Sequence, residues 1–362
     1  MSYAAPDGSF PAGVAEPRLQ FRADGGFTIL QINDTQDTDR IDVRTLQTIA
    51  RAAALAKPDL VVVNGDVISE HLTSARQAEQ AMHNIAGTLD GLACPWVVTF
   101  GNHDADSAPV TGLGERDQLA FYRRYRHNLN LPLQEERLGA GTMYLPILSA
   151  DGTRRAYGIW LLHGGRYAPR AIAGQDFARY PTWGWVNGAQ LDWYYRTSVA
   201  LEAAAGARVP SLLFTHLPLW EHRFMWYAGV EGRTGEDVAR AVAKHGLVGE
   251  RHEGESCGPF NAGLFALILD RGETQGVFCG HDHNNSYHGN YYGVLLGFGP
   301  ATGFASYGLP GEAKNQRRGA RVFHVVQDRP DRLPETRVLL ARDLGVDTSP
   351  DDRPGEPVPG LA

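Results

Sequence analysis

The sequence predicts an α/β protein with layered sheets flanked by helices. Three observations carry this. Early in the chain, short apolar segments alternate with segments of helical spacing, as in βαβ units. Late in the chain, strand-like segments crowd together. Several of the apolar segments are followed at once by Asp, Asn or His, which is where an α/β sheet keeps its chemistry.

The elements follow in order. Phe27–Ile32 (FTILQI) reads as the first strand. Residues 42–57 carry Val43, Leu46, Ile49, Ala50 and Ala53 at helical spacing, with Asp42 as N-cap and Pro58 as the stop. Leu60–Val63 (LVVV) is the second strand. Ser74 and Gln77 form a capping-box pattern for a helix ending near Leu89, and Trp96–Phe100 is the third strand. A helix is expected over Glu115–Arg126, strands over Met143–Leu148 and Tyr157–Leu162, and a helix over Ala189–Leu201. Ser211–Thr215 and Gly276–Cys279 are strands, with a helix over Leu264–Leu269 between them. Late strands are expected over Val294–Phe298, Arg321–Val326 and Arg337–Leu340.

Residues 1–26 read as an irregular N-terminal arm and 27–346 as a single domain. Residues 347–362 are rich in proline, glycine and acids, so a disordered tail is expected there.

Composition narrows the function. Of 362 residues, 43% are hydrophobic and 21% charged, which excludes a mostly disordered chain. Lys plus Arg is 34 and Asp plus Glu is 41, a net charge of −7 with no basic stripe. That balance argues against a nucleic-acid partner. Cys94, Cys257 and Cys279 form no CxxC pair, so neither a disulfide framework nor a cysteine zinc site is expected. No run of about 18 apolar residues marks a membrane span. The N-terminus has neither a basic start nor an apolar core of a secretory signal, so a cytoplasmic location is expected.

The strand ends hold the candidate site. FTILQI is followed by Asn33-Asp34-Thr35-Gln36, and LVVV by Asn64-Gly65-Asp66. WVVTF is followed by Gly101-Asn102-His103-Asp104, SLLFT by His216, and GVFC by Gly280-His281-Asp282-His283. Imidazoles and carboxylates in this number suit divalent metals and exceed what one ion needs. Two ions sharing a carboxylate are the economical arrangement.

This ordered set resembles the calcineurin-like metallophosphoesterases, and most nearly the single-domain relatives of purple acid phosphatases. Further likenesses are His216-Leu217-Pro218-Leu219, Gln190-Leu191-Asp192-Trp193-Tyr194 and Arg317-Arg318-Gly319-Ala320-Arg321-Val322. The resemblance implies a four-layer αββα sandwich, with two packed mixed sheets between helices. It assigns one metal to Asp34, Asp66 and His283, and the second to Asp66, Asn102, His216 and His281. His103 becomes the catalytic histidine that binds no metal, and Asp104 its orienting partner. The family often has His where this chain has Gln36, which leaves Gln36 a ligand or a residue behind the ligands, with Asp37 and Asp39 near enough to compensate. Ser69 stands where the purple enzymes carry Tyr, so manganese, iron or zinc are all candidates and an iron–tyrosinate colour is not expected.

The resemblance implies hydrolysis of a small-molecule phosphate ester by in-line attack of a metal-bound hydroxide, with phosphomonoesters favoured. Two other readings stand beside it: a phosphodiesterase of the same fold, and a non-catalytic interaction protein that retains the fold. His222 and Arg223, just after the His216 turn, are candidate phosphate contacts. Trp183, Trp185, Trp220, Trp226 and Tyr227 are candidate pocket walls, and His163-Gly164-Gly165-Arg166 ends a strand and is a further candidate contact. Arg317 and Arg318 read as surface residues or strand ends.

Overall fold

Alternate residues of the central strands face different cores. Leu60 and Val62 pack into one apolar cluster, whereas Val61 and Val63 pack into another. A strand covered on both faces must be apolar throughout, which is why these segments show no polar alternation. In the computed structural model, residues 12–16, 18–227, 234–329 and 332–361 are described.

The chain runs β1 (Leu19–Gln20), β2 (Gly26–Ile32), α1 (Val43–Ala56), β3 (Leu60–Asn64), α2 (Ala75–Gly91), β4 (Trp96–Thr99), α3 (Ala108–Thr111) and α4 (Glu115–Tyr122). Next come β5 (Met143–Leu148), β6 (Arg155–Leu162), β7 (Ala171–Ile172), β8 (Gln175–Asp176), α5 (Gly188–Ala205), β9 (Ser211–Thr215), α6 (Trp220–Phe224) and α7 (Gly235–His245). The last elements are α8 (Leu264–Arg271), β10 (Thr274–Cys279), β11 (His288–Tyr291), β12 (Val294–Phe298), β13 (Gly319–Val326) and β14 (Glu335–Leu340).

Two mixed sheets result. One has the order β14-β13-β2-β3-β4, the other β1-β5-β6-β9-β10-β12-β11. The core between them gathers Ile29, Leu60, Val62 and Phe323 from the first, and Leu145, Ile159, Phe214 and Phe278 from the second. Outside the first sheet, Leu30, Val61, Val63 and Trp96 meet Ile49 of α1, Met82 and Ile85 of α2, and Leu119 of α4. Outside the second, Trp160, Leu213 and Val277 meet Trp193 and Tyr194 of α5 and Phe265 of α8. The four layers are those the resemblance implied.

The helix signals work as expected, with small differences. The Asp42 side chain accepts from Arg44 N and caps α1. Ser74 accepts from Gln77 N, but Gln77 turns back to Thr73 instead of Ser74. α4 stops at Tyr122, short of the expected end, because the chain turns so that Asn128 can bridge to Trp96. Three helices (α3, α6 and α7) and four strands (β1, β7, β8 and β11) lie in stretches where the sequence reading placed no element.

Two terminal expectations need correction. Part of the arm is regular: Leu19 and Gln20 pair with Ile147 and Leu148, while residues 1–11 and 17 lie outside the described residues. The segment expected to be disordered packs along α1 and α2. Arg44, fully buried, donates to the carbonyls of Ser349 and Asp351 at 2.8 and 2.5 Å. Arg353 N donates to Asp42, Gly355 N to the Ile41 carbonyl and Val358 N to Asn84. A buried guanidinium needs several acceptors; Asp42 supplies two and the tail the others. Composition does not reveal such a partner.

Cys94, Cys257 and Cys279 are free, and the first and last are buried. Among the described residues no helix is long and apolar enough to cross a membrane.

Candidate metal centre

The strands end almost level. Ile32 pairs with Val63, Asn64 with Thr99, and Phe214 with Phe278. Asp34, Asp66 and Asn102 thus leave neighbouring strand ends of one sheet, and His216 and His281 neighbouring ends of the other. Buried amides tie the two sheets beneath the site. Asn64 Nδ2 donates to the carbonyls of Thr215 and Phe278, each at 3.1 Å, and Gln31 Nε2 donates to that of Cys279 at 3.0 Å.

The turns are tight. Asp34, Gln36, Asp66 and His281 all adopt positive φ, which bulky residues rarely hold without surrounding support. Gly65 has φ +86°, and a Cβ there would lie 2.7 Å from both Gly101 N and His216 Nδ1. A Cβ on Gly101 would collide with Asp66 Oδ1 and His216. Glycine is needed at both positions for these strand ends to close together.

The ligand candidates converge. Asp34 Oδ1 lies 3.3 Å from His283 Nε2 and 3.7 Å from His216 Nε2. Asp66 Oδ2 lies 3.1 Å from His216 Nε2, and Asp66, His216 and His281 offer ligand atoms within 4.8 Å of one another. All of these side chains are buried. His216 Nδ1 bonds the Asn64 carbonyl at 2.8 Å, and His283 Nδ1 the Tyr307 carbonyl at 3.1 Å. A carbonyl only accepts, so each Nδ1 carries the proton and each Nε2 is left to face the cluster.

Two observations test whether a metal suits these residues. Among the described residues Asn102 Oδ1 is buried without a hydrogen-bond partner, and His216 Nε2 faces only the Asp66 and Asp34 carboxylates, as ligand atoms do. The charge also asks for a cation. Burial alone would depress His216, yet Asp66 and Asp34 push its pKa up to about 10, so the carboxylates hold positive charge there. Burial and the charge of His216 drive His281 down to about 3, which keeps it neutral and able to ligate. Nitrogen and carboxylate donors of this kind fit a divalent transition metal.

Gln36 reaches the same place in another role. Its amide Nε2 donates to Asp66 Oδ2 at 3.1 Å, so it braces the shared carboxylate. Asp37 does not compensate. Its carboxylate accepts from Thr38 N and Asp42 N, each at 2.7 Å, and shapes the loop before α1.

His103 stands beside the cluster with its backbone N donating to Asp66 Oδ1 at 2.8 Å. Its orienting partner is Asp106, whose Oδ2 lies 2.8 Å from His103 Nδ1. Asp104, expected in that role, points elsewhere. Its carboxylate accepts from Asp66 N, Val67 N and Gly101 N at 2.9, 2.7 and 2.8 Å, and clamps two site loops together. The chain turns after His103, with Asp106 N bonded to the His103 carbonyl, so the third residue on returns to the ring and the first does not. Burial would lower the pKa of His103, but the Asp106 hydrogen bond and the charges of Asp66 and Glu70 raise it to about 9.

Asp106 is itself held. Arg166 Nη2 donates to its Oδ1 at 2.7 Å, and the Tyr167 hydroxyl to its Oδ2 at 2.6 Å. Arg166 Nε also bonds the Asn102 carbonyl at 3.1 Å. Arg166 belongs to a segment the sequence singled out, whereas Asp106 and Tyr167 were missed. The signal for Asp106 was a second carboxylate three residues after His103.

His222 and Arg223 are not at the site. His222 is fully buried, with Nε2 3.5 Å from Cys279 Sγ and its ring packed on Phe298, and burial pushes its pKa down to about 4. Arg223 donates to the Tyr227 hydroxyl and lies over Trp220. Of the candidate tryptophans, Trp183 reaches the centre, its ring 4.5 Å from that of His281. Trp185 packs on Phe260, Trp220 on Phe224 and Trp226 on Tyr287. Tyr307, unforeseen, stacks on His283 at 4.0 Å. Arg318 is not a surface residue. It is buried and donates to the Ser306 and Tyr307 carbonyls, which fixes the loop carrying that ring.

A layered α/β sandwich with His, Asp and Asn gathered where its strands end is the architecture of a metal-dependent phosphoesterase scaffold. A sequence model of the calcineurin-like phosphoesterases matches residues 27–285, and the chain belongs to that family. It is 26% identical over 332 residues to "Probable inactive purple acid phosphatase 14" of Arabidopsis thaliana, covering 83% of this chain and 76% of that protein. It is 26% identical over 304 residues to "Phosphatase DCR2" of Saccharomyces cerevisiae, covering 77% of this chain and 48% of that protein. Among solved structures it resembles a dimetal phosphatase from Danio rerio, with 14% identity, 86% of this chain and 98% of that one covered, and a TM-score of 0.48.

Proposed function

We propose that this protein hydrolyses small-molecule phosphate esters, monoesters ahead of diesters, with two divalent ions of manganese, iron or zinc. In this reading Asp34, Asp66 and His283 hold one ion, and Asp66, Asn102, His216 and His281 the other. When bound, such ions polarise phosphoryl oxygens and lower the pKa of water from 15.7 towards about 7. Water supplies the oxygen that joins phosphorus, and the ester P–O bond breaks. His103, fixed through Nδ1 by Asp106, donates from Nε2 the proton that the departing oxygen takes up. Arg166 and Tyr167 hold Asp106 for that task.

The observation that carries this reading is the convergence of an unpartnered Asn102 Oδ1 with His216 Nε2 and the buried carboxylates of Asp34 and Asp66. The name "probable inactive" borne by relatives favours a second reading, a non-catalytic protein that keeps the fold. A scaffold without metal would leave Asn102 Oδ1 unsatisfied, at about 1–3 kcal/mol, and would have to hold a buried His216 charged against Asp66 and Asp34. His103 would also have no reason to be so firmly oriented.

The test is hydrolysis of p-nitrophenyl phosphate and bis-p-nitrophenyl phosphate by metal-stripped protein reloaded with manganese, iron or zinc. Metal-restored turnover, faster on the monoester, is expected. Two bound equivalents of metal with no turnover of either ester would favour the non-catalytic reading.

A further inference from the structure

Beside the proposed metal centre lies a cavity of about 760 Å³ that the hydrolytic step does not use. It is formed by the chain between β6 and α5, closed on one side by Pro259 and Phe260. That chain is anchored at its base. Tyr167 bridges to Trp183, Ala168 N bonds the Thr182 carbonyl at 2.8 Å, and Gly184 N bonds the Arg166 carbonyl at 2.8 Å. Beyond the anchor, β7 and β8 form a small hairpin whose residues line the space.

The lining is apolar and aromatic, with Ile172, Phe177, Tyr180 and Phe260 prominent, and among the described residues Arg170 is its one charged side chain. Tyr180 is 73% exposed and Phe260 47%, so large rings stand in water around the opening. Exposed apolar surface of this kind, around a space within the roughly 300–1,000 Å³ of small-molecule sites, marks a binding pocket.

Tyr167 joins this pocket to the centre. It lines the cavity, and its hydroxyl donates to Asp106 and accepts from Asn102 Nδ2 at 3.3 Å. Its ring lies 6.4 Å from that of His103 and 5.7 Å from that of Trp183, which in turn packs on His281. The pocket therefore lies next to the His103 side of the cluster, with Tyr167 as the residue shared between them. In the reading above, His103 gives its proton to the departing oxygen. A group attached to that oxygen would then meet Tyr167, whose side chain lines the cavity.

We infer that this cavity receives the alcohol portion of the substrate, and that the substrate is a phosphate ester of a bulky apolar or aromatic alcohol. The inference rests on the phosphoesterase reading. Charge selects against other classes. A leaving group bearing further phosphates needs several cations, whereas Arg166 is already paired with Asp106 and, among the described residues, the lining offers Arg170 alone. A polyhydroxylated leaving group would find few polar partners on these walls. An aromatic or branched hydrocarbon removes the exposed rings from water, at about 25 cal/mol per Å² of apolar surface covered.

The test uses two esters of nearly equal chemical reactivity, phenyl phosphate and 2-naphthyl phosphate, with the metal-loaded protein. The naphthyl ester is expected to exceed the phenyl ester at least tenfold in kcat/KM. In Ile172→Asp and Phe177→Asp, residues that touch no part of the centre, that ratio should fall towards one. A wild-type ratio near one, or a ratio that the variants leave unchanged, would overturn the inference. A second arm uses the metal-free protein and 2-naphthol, the product alcohol, by calorimetric titration. Binding that weakens at least tenfold in the variants supports the pocket even where no ester turns over, and the phosphoesterase reading alone then fails. No binding, or equal binding to wild type and variants, overturns the pocket itself.

Discussion

His103 and Asn102 are neighbours in sequence with opposite duties. Asn102 leaves its Oδ1 buried and unpartnered, whereas the His103 ring turns to Asp106. His103→Ala should therefore keep its metal by elemental analysis and lose turnover by roughly 10²–10⁴-fold. Loss of metal in that variant would make His103 a ligand. The two nearby carboxylates should separate cleanly. Asp106→Asn frees the imidazole to rotate, and turnover should fall by about 10²-fold, the cost of a misplaced reacting group, with little change in the denaturant midpoint. Asp104→Ala removes the acceptor of three buried N–H groups, so stability should fall by roughly 2–4 kcal/mol in denaturant titration. Equal stability losses in the two variants would contradict this division. The resemblance assigns the orienting role to Asp104, which adjoins His103 in sequence. Adjacency does not say which way a side chain leaves a turn.

At the scale of elements, the site is made by strand ends that approach too closely for any side chain on the intervening glycines. Gly101→Ala should disturb Asp66 and His216 together. We expect a stability loss of about 1–3 kcal/mol from overpacking, and weaker metal binding by titration calorimetry. Unchanged metal affinity would mean that the strand ends yield more than the packing suggests. These elements were largely legible. Strands covered on both faces must be apolar, and the residues after them stand at the crevice whatever the rest of the chain does. The hairpin of β7 and β8 was not legible. Its strands have two residues each, too few to show a period. Arg318 looks like a surface residue or strand end because charge predicts exposure, and nothing in the expected strand Arg321–Val326 marks the burial of Arg321. Arg321 is fully buried, with Nε on the Phe298 carbonyl and Nη2 on that of Ser286.

Across the whole molecule, the C-terminal strap and the buried histidines set stability. Truncation after Val346 leaves Arg44 its ion pair with Asp42 but removes its two carbonyl acceptors and the tail's bonds to Asp42 and Asn84, and unfolding free energy should fall by about 2 kcal/mol or more, measured by denaturant. An unchanged midpoint would restore the disordered tail. His222 is held neutral in the fold at about 4, against an ordinary value near 6.5. Between those values the unfolded chain binds the proton and the fold does not. Stability is whole above pH about 6.5 and declines as pH falls towards 4, by on the order of 3 kcal/mol from this group. His222→Gln should flatten that slope in pH-dependent unfolding, and an identical slope would remove His222 from the account. By itself the sequence determined the sandwich and brought Asp34, Asp66, Asn102, His216, His281 and His283 to strand ends, because strand burial and the residues that follow it are local properties. Tertiary structure alone decided that Asp106 and not Asp104 meets His103, that His222 is sealed behind Cys279, that the tail serves Arg44 and that Tyr167 opens onto a pocket. Each of these depends on which distant surface a side chain meets, and no local pattern encodes that.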